Sequence, residues 1–153
     1  MGWARELVRA RTRGRVLDVG CGEGGFLSPG AVGIDTDRSR LLTARTRSPI
    51  VAVADVHALP FADATFDTAF AHRMLNDARR IDHALGEIAR VLRPNGRLLV
   101  FTRARPTEGD RLDRDNGEAR LLPHFEFVDA LTHPVDARAA LFIAASPRPK
   151  ARS

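Results

Sequence analysis

The chain of 153 residues has a single cysteine, Cys21, which excludes an internal disulfide and any cysteine-built metal cluster. Lysine is nearly absent as well: of 24 basic residues only Lys150 is not arginine. Phosphate attraction alone gives no reason for that skew. A GC-rich coding sequence does, because most arginine codons are GC-rich and lysine codons are AT-rich. The net charge of +5 and isoelectric point near 11.0 therefore admit a nucleic-acid partner without favouring one. No apolar run approaches ~20 residues, so no segment reads as a membrane-spanning helix. The start, Met1-Gly2-Trp3-Ala4-Arg5-Glu6, lacks the apolar core of a secretion signal. A cytoplasmic location is the expectation that follows.

What is present suits one globular domain with one sizeable core: 44% hydrophobic and 28% charged residues. Strand and helix patterns alternate. Trp3 to Arg13 reads as a helix with Trp3, Leu7, Val8 and Ala10 on one side. Strands are expected at residues 15–19, 31–35, 50–54, 68–71 and 97–102, and a helix at 38–45 with Asp37 as its N-cap. Ile81, Leu85, Ile88, Ala89 and Leu92 form one apolar stripe of helical period. Pro94 should stop that helix, and Asn95-Gly96 supplies residues that tolerate positive φ. A polar segment from Pro106 to Asn116, with Asp113 and Asp115 in a solvated loop, leads to a short helix ending at Leu122. Strands at 125–131 and 139–145 flank a turn at Pro134-Val135-Asp136. Repeated strand–helix units imply a doubly wound parallel sheet, and the short final turn forces the last pair to be antiparallel.

The densest signal is Val16-Leu17-Asp18-Val19-Gly20-Cys21-Gly22-Glu23-Gly24-Gly25, an apolar strand running straight into a glycine loop. Glycine lets the backbone turn sharply and approach a ligand closely. Two patterns fit. Gly20, Gly22 and Gly25 satisfy the dinucleotide spacing GxGxxG, whereas Gly20, Gly22 and Gly24 give GxGxG preceded by the acidic Asp18. The second arrangement resembles the first motif of class I S-adenosylmethionine (SAM) dependent methyltransferases. Two further segments resemble the same family: Asp55-Val56-His57-Ala58-Leu59-Pro60-Phe61 followed by Phe66-Asp67, and Glu87 to Leu98. The likeness spans roughly Arg15 to Thr102. It implies an α/β, Rossmann-like, seven-stranded sheet, mostly parallel with an antiparallel C-terminal hairpin. On that reading residues 1–14 are an N-terminal helix, 15–146 the SAM-binding domain and 147–153 a loose tail.

The resemblance also implies roles. Gly20, Cys21, Gly22 and Gly24 line the methionine part of SAM, and Asp18 orients the loop and meets the ammonium group. Asp35, with Thr36 beside it, accepts from the ribose hydroxyls. Asp55 accepts from the adenine amino group, with Val56 against the ring. His72, next to the cofactor, is the candidate base, and Asn76 a candidate for orienting the acceptor. Cys21 has only a packing or backbone part, and no metal is implied. Between Gly24 and the second strand stand only the six residues Gly25 to Gly30, so the usual first helix shrinks to one turn or is lost.

The methyl acceptor is open. His72-Arg73-Met74-Leu75 is not the Pro-Pro-aromatic motif of base amino-group methylation, and Cys21 is wrongly placed to attack a pyrimidine. A small-molecule nitrogen or oxygen acceptor is the first expectation. The alternatives are an RNA or protein acceptor, or a non-catalytic SAM-binding module completed by a partner. With little chain to form a lid, a homodimer covering the site through Trp3, Leu7 and Val8 is a further expectation.

Overall fold

The computed structural model describes residues 2–48, 50–76, 80–103, 112–136 and 138–149; Asp77, most of the segment from Pro106, and residues 150–153 lie outside these. Its helices are α1 (Gly2–Arg11), α2 (Arg38–Ala44), α3 (Ile81–Val91) and α4 (Gly117–Leu121). Its strands are β1 (Val16–Val19), β2 (Val32–Asp35), β3 (Val51–Val53), β4 (Phe66–His72), β5 (Leu92–Arg103), β6 (Phe125–Thr132) and β7 (Ala139–Pro147). They form one seven-stranded sheet in the order β3-β2-β1-β4-β5-β7-β6. The first five strands pair in parallel, while β7 runs antiparallel to both β5 and β6. All carboxyl ends of the parallel strands consequently open on one edge, where α/β sheets bind ligands.

Alternation along the strands divides the core into two faces. Leu17, Val19, Ile34, Ala69 and Leu98 meet the stripe Ile81, Leu85 and Ile88 of α3. Phe70, Leu99 and Leu141 point the other way and are covered by Ala4 and Val8 of α1. α2 covers Cys21 through Leu41 and Ala44. Asp37 caps it as expected, its carboxylate accepting from the N–H groups of Ser39 and Arg40.

Several expectations are corrected. α1 ends at Arg11, and its apolar residues face this chain's own sheet: Val8 is buried, with Trp3 and Leu7 packed beside it, while Ala10 is exposed. Trp3 and Leu7 are half-buried there and keep part of their surface exposed. Asn95 and Gly96 are not among the residues at positive φ. α3 instead ends directly in extended backbone at Leu92 (φ −81°, ψ 142°), because Leu92 already pairs with Phe66 of β4. Gly96 is needed for space rather than for handedness, since a Cβ there would lie 2.8 Å from the Arg93 carbonyl oxygen. Asp113 is buried, not solvated, and its Oδ1 accepts from the N–H groups of Asp115 and Asn116 at 2.8 and 3.1 Å. The chain past residue 146 begins tied down: Pro147 pairs with Phe125, and the Arg148 N–H donates to the His124 carbonyl at 2.8 Å. No helix among the described residues is long and apolar enough to cross a membrane.

Candidate functional site

The carboxyl ends of β1, β2 and β4 bring Asp18, Asp35 and His72 to one edge, with the glycine loop above them. Gly20, Gly22 and Gly24 have φ of 70°, 55° and 79°, the left-handed region that only glycine enters freely. A Cβ on Gly20 would also sit 2.7 Å from the Met74 Cβ. Gly25 is different. Its φ is not positive, and a Cβ added there meets nothing within 4 Å. The backbone therefore requires glycine at the first, third and fifth loop positions, and no helix follows for a sixth-position glycine to pack. GxGxG is the pattern with a physical reason behind it.

The loop is held from β2. The N–H of Cys21 donates to the Ile34 carbonyl at 2.8 Å, and the N–H of Gly22 donates to Asp35 Oδ2 at 2.8 Å. Asp35 Oδ1 accepts from the Asp37 N–H at 2.9 Å. Each oxygen keeps a lone pair for a ligand donor. Thr36 follows it, exposed, at the turn into α2. Asp18 lies deeper: it is 4% exposed, and its Oδ2 has no hydrogen-bond partner. Burial, reinforced by the Asp35 charge, pushes its carboxyl up to about 7. An orphaned buried carboxyl of this kind is a place where a ligand donor is missing.

Cys21 is buried, its Sγ 3.7 Å from the Gly22 carbonyl and 2.9 Å from where a Gly33 Cβ would stand. Burial and then the charges of Asp18 and Asp35 push its thiol up to about 12, so it is no nucleophile. Iodoacetamide at pH 8 is expected to leave Cys21 unmodified in the native protein and to label it after unfolding, as read by intact-mass spectrometry.

His72 is the last residue of β4 and lies between two rings, with centroids 4.5 Å from Phe26 and 4.9 Å from Phe101. Trp3 extends the cluster to Phe101 and His133 at 6.0 and 4.7 Å. Burial, then the Arg73 charge, pushes the His72 imidazole down to about 4, so it is neutral near pH 7. Asn76 sits in a single 3₁₀ turn, Met74–Asn76, following His72. Asp55 is largely exposed and already occupied: its Oδ1 accepts from the His57 N–H at 2.9 Å and meets His57 Nδ1 at 2.7 Å. Those bonds, the backbone one foremost, hold its carboxyl below the usual range. Val56 is buried in the core shared with α3.

Two groups had no assigned role. Glu87 and Arg90 of α3 are a clamp: Glu87 Oε2 accepts from the Leu59 N–H at 3.0 Å, and Arg90 donates to the carbonyls of Leu59 and Phe61 at 3.0 and 2.8 Å. The legible signal was a Glu and an Arg three apart in the apolar second half of the helix, Ala84–Val91. Arg5 of α1 reaches the loop, its Nη2 donating to the Gly25 carbonyl at 2.9 Å. It shares with Asp18 and Phe26 a cleft of about 180 Å³ between α1 and the segment after the loop. A concavity of about 200 Å³ between α2 and β3 contains no carboxylate or imidazole, so the strand ends and not volume assign the site.

The methyltransferase domain family matches residues 17–100, more than half of the chain. The chain belongs to that family. Its members take their methyl group from SAM, and the glycine cradle, Asp35 and the orphaned Asp18 are donors and acceptors suited to that cofactor. Among curated relatives, this methyltransferase-family chain is 32% identical over 127 residues to sterol 4-C-methyltransferase strm-1 of Caenorhabditis elegans, covering 72% of the chain and 37% of the relative. It is 39% identical over 107 residues to the ubiquinone/menaquinone biosynthesis C-methyltransferase UbiE of Dinoroseobacter shibae, covering 60% of the chain and 43% of the relative. The chain thus spans less than half the length of these relatives. Among solved structures, a SAM-dependent methyltransferase of Thermotoga maritima, described as a possible histamine N-methyltransferase, superposes with a TM-score of 0.80 at 17% identity, over 93% of this chain and 87% of that one. That likeness is one of fold.

Proposed function

We propose that this chain is a SAM-dependent methyltransferase whose acceptor is a small molecule methylated at nitrogen or oxygen. The observation that carries the reading is the loop with three left-handed glycines, bonded to Asp35 and standing over an unpartnered buried Asp18. Bound SAM would supply a methyl group already activated on its sulfonium. The protein's part is then to bind, orient and exclude water. Asp35, with Thr36 next to it, would take the ribose hydroxyls, Asp18 the ammonium, and Gly20, Cys21, Gly22 and Gly24 the methionine chain. Asp55 and Val56 would serve the adenine; Asp55 would share its carboxylate with His57.

His72 would face the acceptor. A neutral imidazole can accept a hydrogen bond from an N–H or O–H and so aim a lone pair. An imidazole pushed down to about 4 is too weak a base to ionise a carbon acid. That favours an acceptor already nucleophilic at nitrogen or oxygen over the carbon acceptors for which the two curated relatives are named. Asn76, four residues after His72, is retained as a residue that would orient the acceptor. A cytoplasmic location is part of the same proposal.

The test is ligand-induced stabilisation. SAM and S-adenosylhomocysteine are expected to raise the melting temperature by mass action, and NAD is not. Asp35→Asn keeps an acceptor for the Gly22 N–H but loses the charge, and should weaken SAM at least about tenfold by the usual worth of a charge-assisted bond. A shift with NAD and none with SAM would reject the assignment.

A further inference from the structure

On the sheet face shared by α1 and α2, the chain between Gly24 and β2 forms turns and no helix. The space left beside α1 persists as the cleft of about 180 Å³. Its lining is unusual in charge. Asp18 contributes the single buried carboxyl, and Arg5, Arg9 and Arg47 contribute three guanidinium groups. A ligand fitting both signs carries an ammonium and a carboxylate, which is the α-amino-acid end of a molecule.

The arginines are not equivalent. Arg5 is fixed at the end of the glycine loop: its Nη2 bonds the Gly25 carbonyl at 2.9 Å, and its guanidinium carbon stands 5.8 Å from the Phe26 ring centroid. A guanidinium has five N–H donors, and one carbonyl leaves the others for a planar anion. Arg9 lies one turn along α1, beside Thr12 and Val16, toward the start of β1. Where a helix follows such a loop, its N-terminus offers about half a positive charge to an anion. Here a side chain offers a whole one.

Resting on the cofactor reading above, we infer that the loop end of this cleft is the subsite for the amino-acid end of SAM, with Arg5 receiving the carboxylate in place of the absent helix. Asp18 receives the ammonium across the same cleft. A side chain on α1 thereby replaces a secondary-structure element that the six residues Gly25 to Gly30 are too few to build.

Titration calorimetry with SAM and decarboxylated SAM isolates the carboxylate, because the two differ only there. The wild type is expected to prefer SAM by roughly 10- to 100-fold, the usual range for hydrogen bonds to a charged group. Arg5→Ala should lose that preference while leaving the affinity for decarboxylated SAM unchanged. Arg5→Gln, which can still donate to the Gly25 carbonyl, should behave alike and serves as the comparison if the alanine variant does not fold. Arg9→Ala and Arg47→Ala should keep the preference. Equal weakening of both ligands by Arg5→Ala would make Arg5 a structural prop for the loop and overturn the inference. Loss of the preference in Arg9→Ala or Arg47→Ala instead would overturn it too. A wild type that binds neither ligand nor S-adenosylhomocysteine would reject the cofactor reading itself, a distinct result.

Discussion

Asp18→Asn should raise the melting temperature at pH 8 while weakening SAM at least about tenfold, the value of one charge-assisted contact. Asp18 is 4% exposed with an unpartnered Oδ2, and its carboxyl is pushed up to about 7 against the usual 3.8. A carboxyl whose folded value is raised binds its proton more tightly in the native state. The stability it contributes is complete below about pH 4, falls as the pH rises toward 7, and is level above that. Asparagine cannot ionise and removes the slope. The gain at pH 8 is expected to be about 1–3 kcal/mol, or roughly 3–10 °C for a domain of this size, allowing for the burial of an unpartnered amide. At pH 4 the gain should be gone, the variant melting no higher than the wild type. The same proton governs the ligand: SAM should bind the wild type more weakly as the pH falls below about 7, because its ammonium must displace the proton from Asp18. Differential scanning fluorimetry across pH 4–8, with calorimetry at both ends, reads both halves. Parallel melting curves for the two proteins would show that the carboxyl is ordinarily solvated.

Arg90→Ala should cause the largest loss of stability among surface-reaching charges. Arg90 donates to both Glu87 oxygens at 2.9 Å, to Asp63 at 2.8 Å and to the carbonyls of Leu59 and Phe61. Glu87 is 8% exposed and also accepts from the Leu59 N–H at 3.0 Å, so the variant removes the guanidinium that faces a buried carboxylate. Breaking a buried pair from one side is worth about 3–5 kcal/mol; Arg90 is one-fifth exposed, and about 2–4 kcal/mol is expected here, a fall of roughly 4–15 °C. Glu87→Leu with Arg90→Met should lose less than the two single changes together, because no uncompensated charge remains. Urea denaturation of the three variants checks this. Additive losses would show that the pair is not coupled.

Much of the fold is legible because its causes are local. The stripe from Ile81 to Leu92 has the period of a helix and one face to bury, and α3 follows it to within a residue. Asp37 precedes a helix that needs an oxygen for its first amides, and it caps α2. The short Pro134–Asp136 turn leaves the last two strands no route but an antiparallel one. Asn95-Gly96 shows the limit of such reasoning. Tolerance of positive φ is a property of the residues, but its use depends on where β5 meets β4, and the pairing of Phe66 with Leu92 leaves no left-handed turn to make. Asp113 is a like case, a polar residue in a polar segment that is nonetheless buried, it and Asn116 each donating its N–H to the other's side-chain oxygen at 2.9 and 3.1 Å.

The sequence by itself determined the alternation of elements, the antiparallel ending, the loss of the first helix and the acidic residue before a glycine loop. Each follows from spacing along the chain, where neighbours in sequence are neighbours in space. Only the tertiary structure decided which glycines the loop requires, since Gly24 is left-handed and Gly25 is not. It also decided that Trp3, Leu7 and Val8 cover their own sheet, that His72 is neutral between two phenylalanines, and that Arg5 meets the loop 20 residues away. Burial, orphaned polar atoms and charge pairing arise between segments brought together by packing, and no period or motif within one segment carries them.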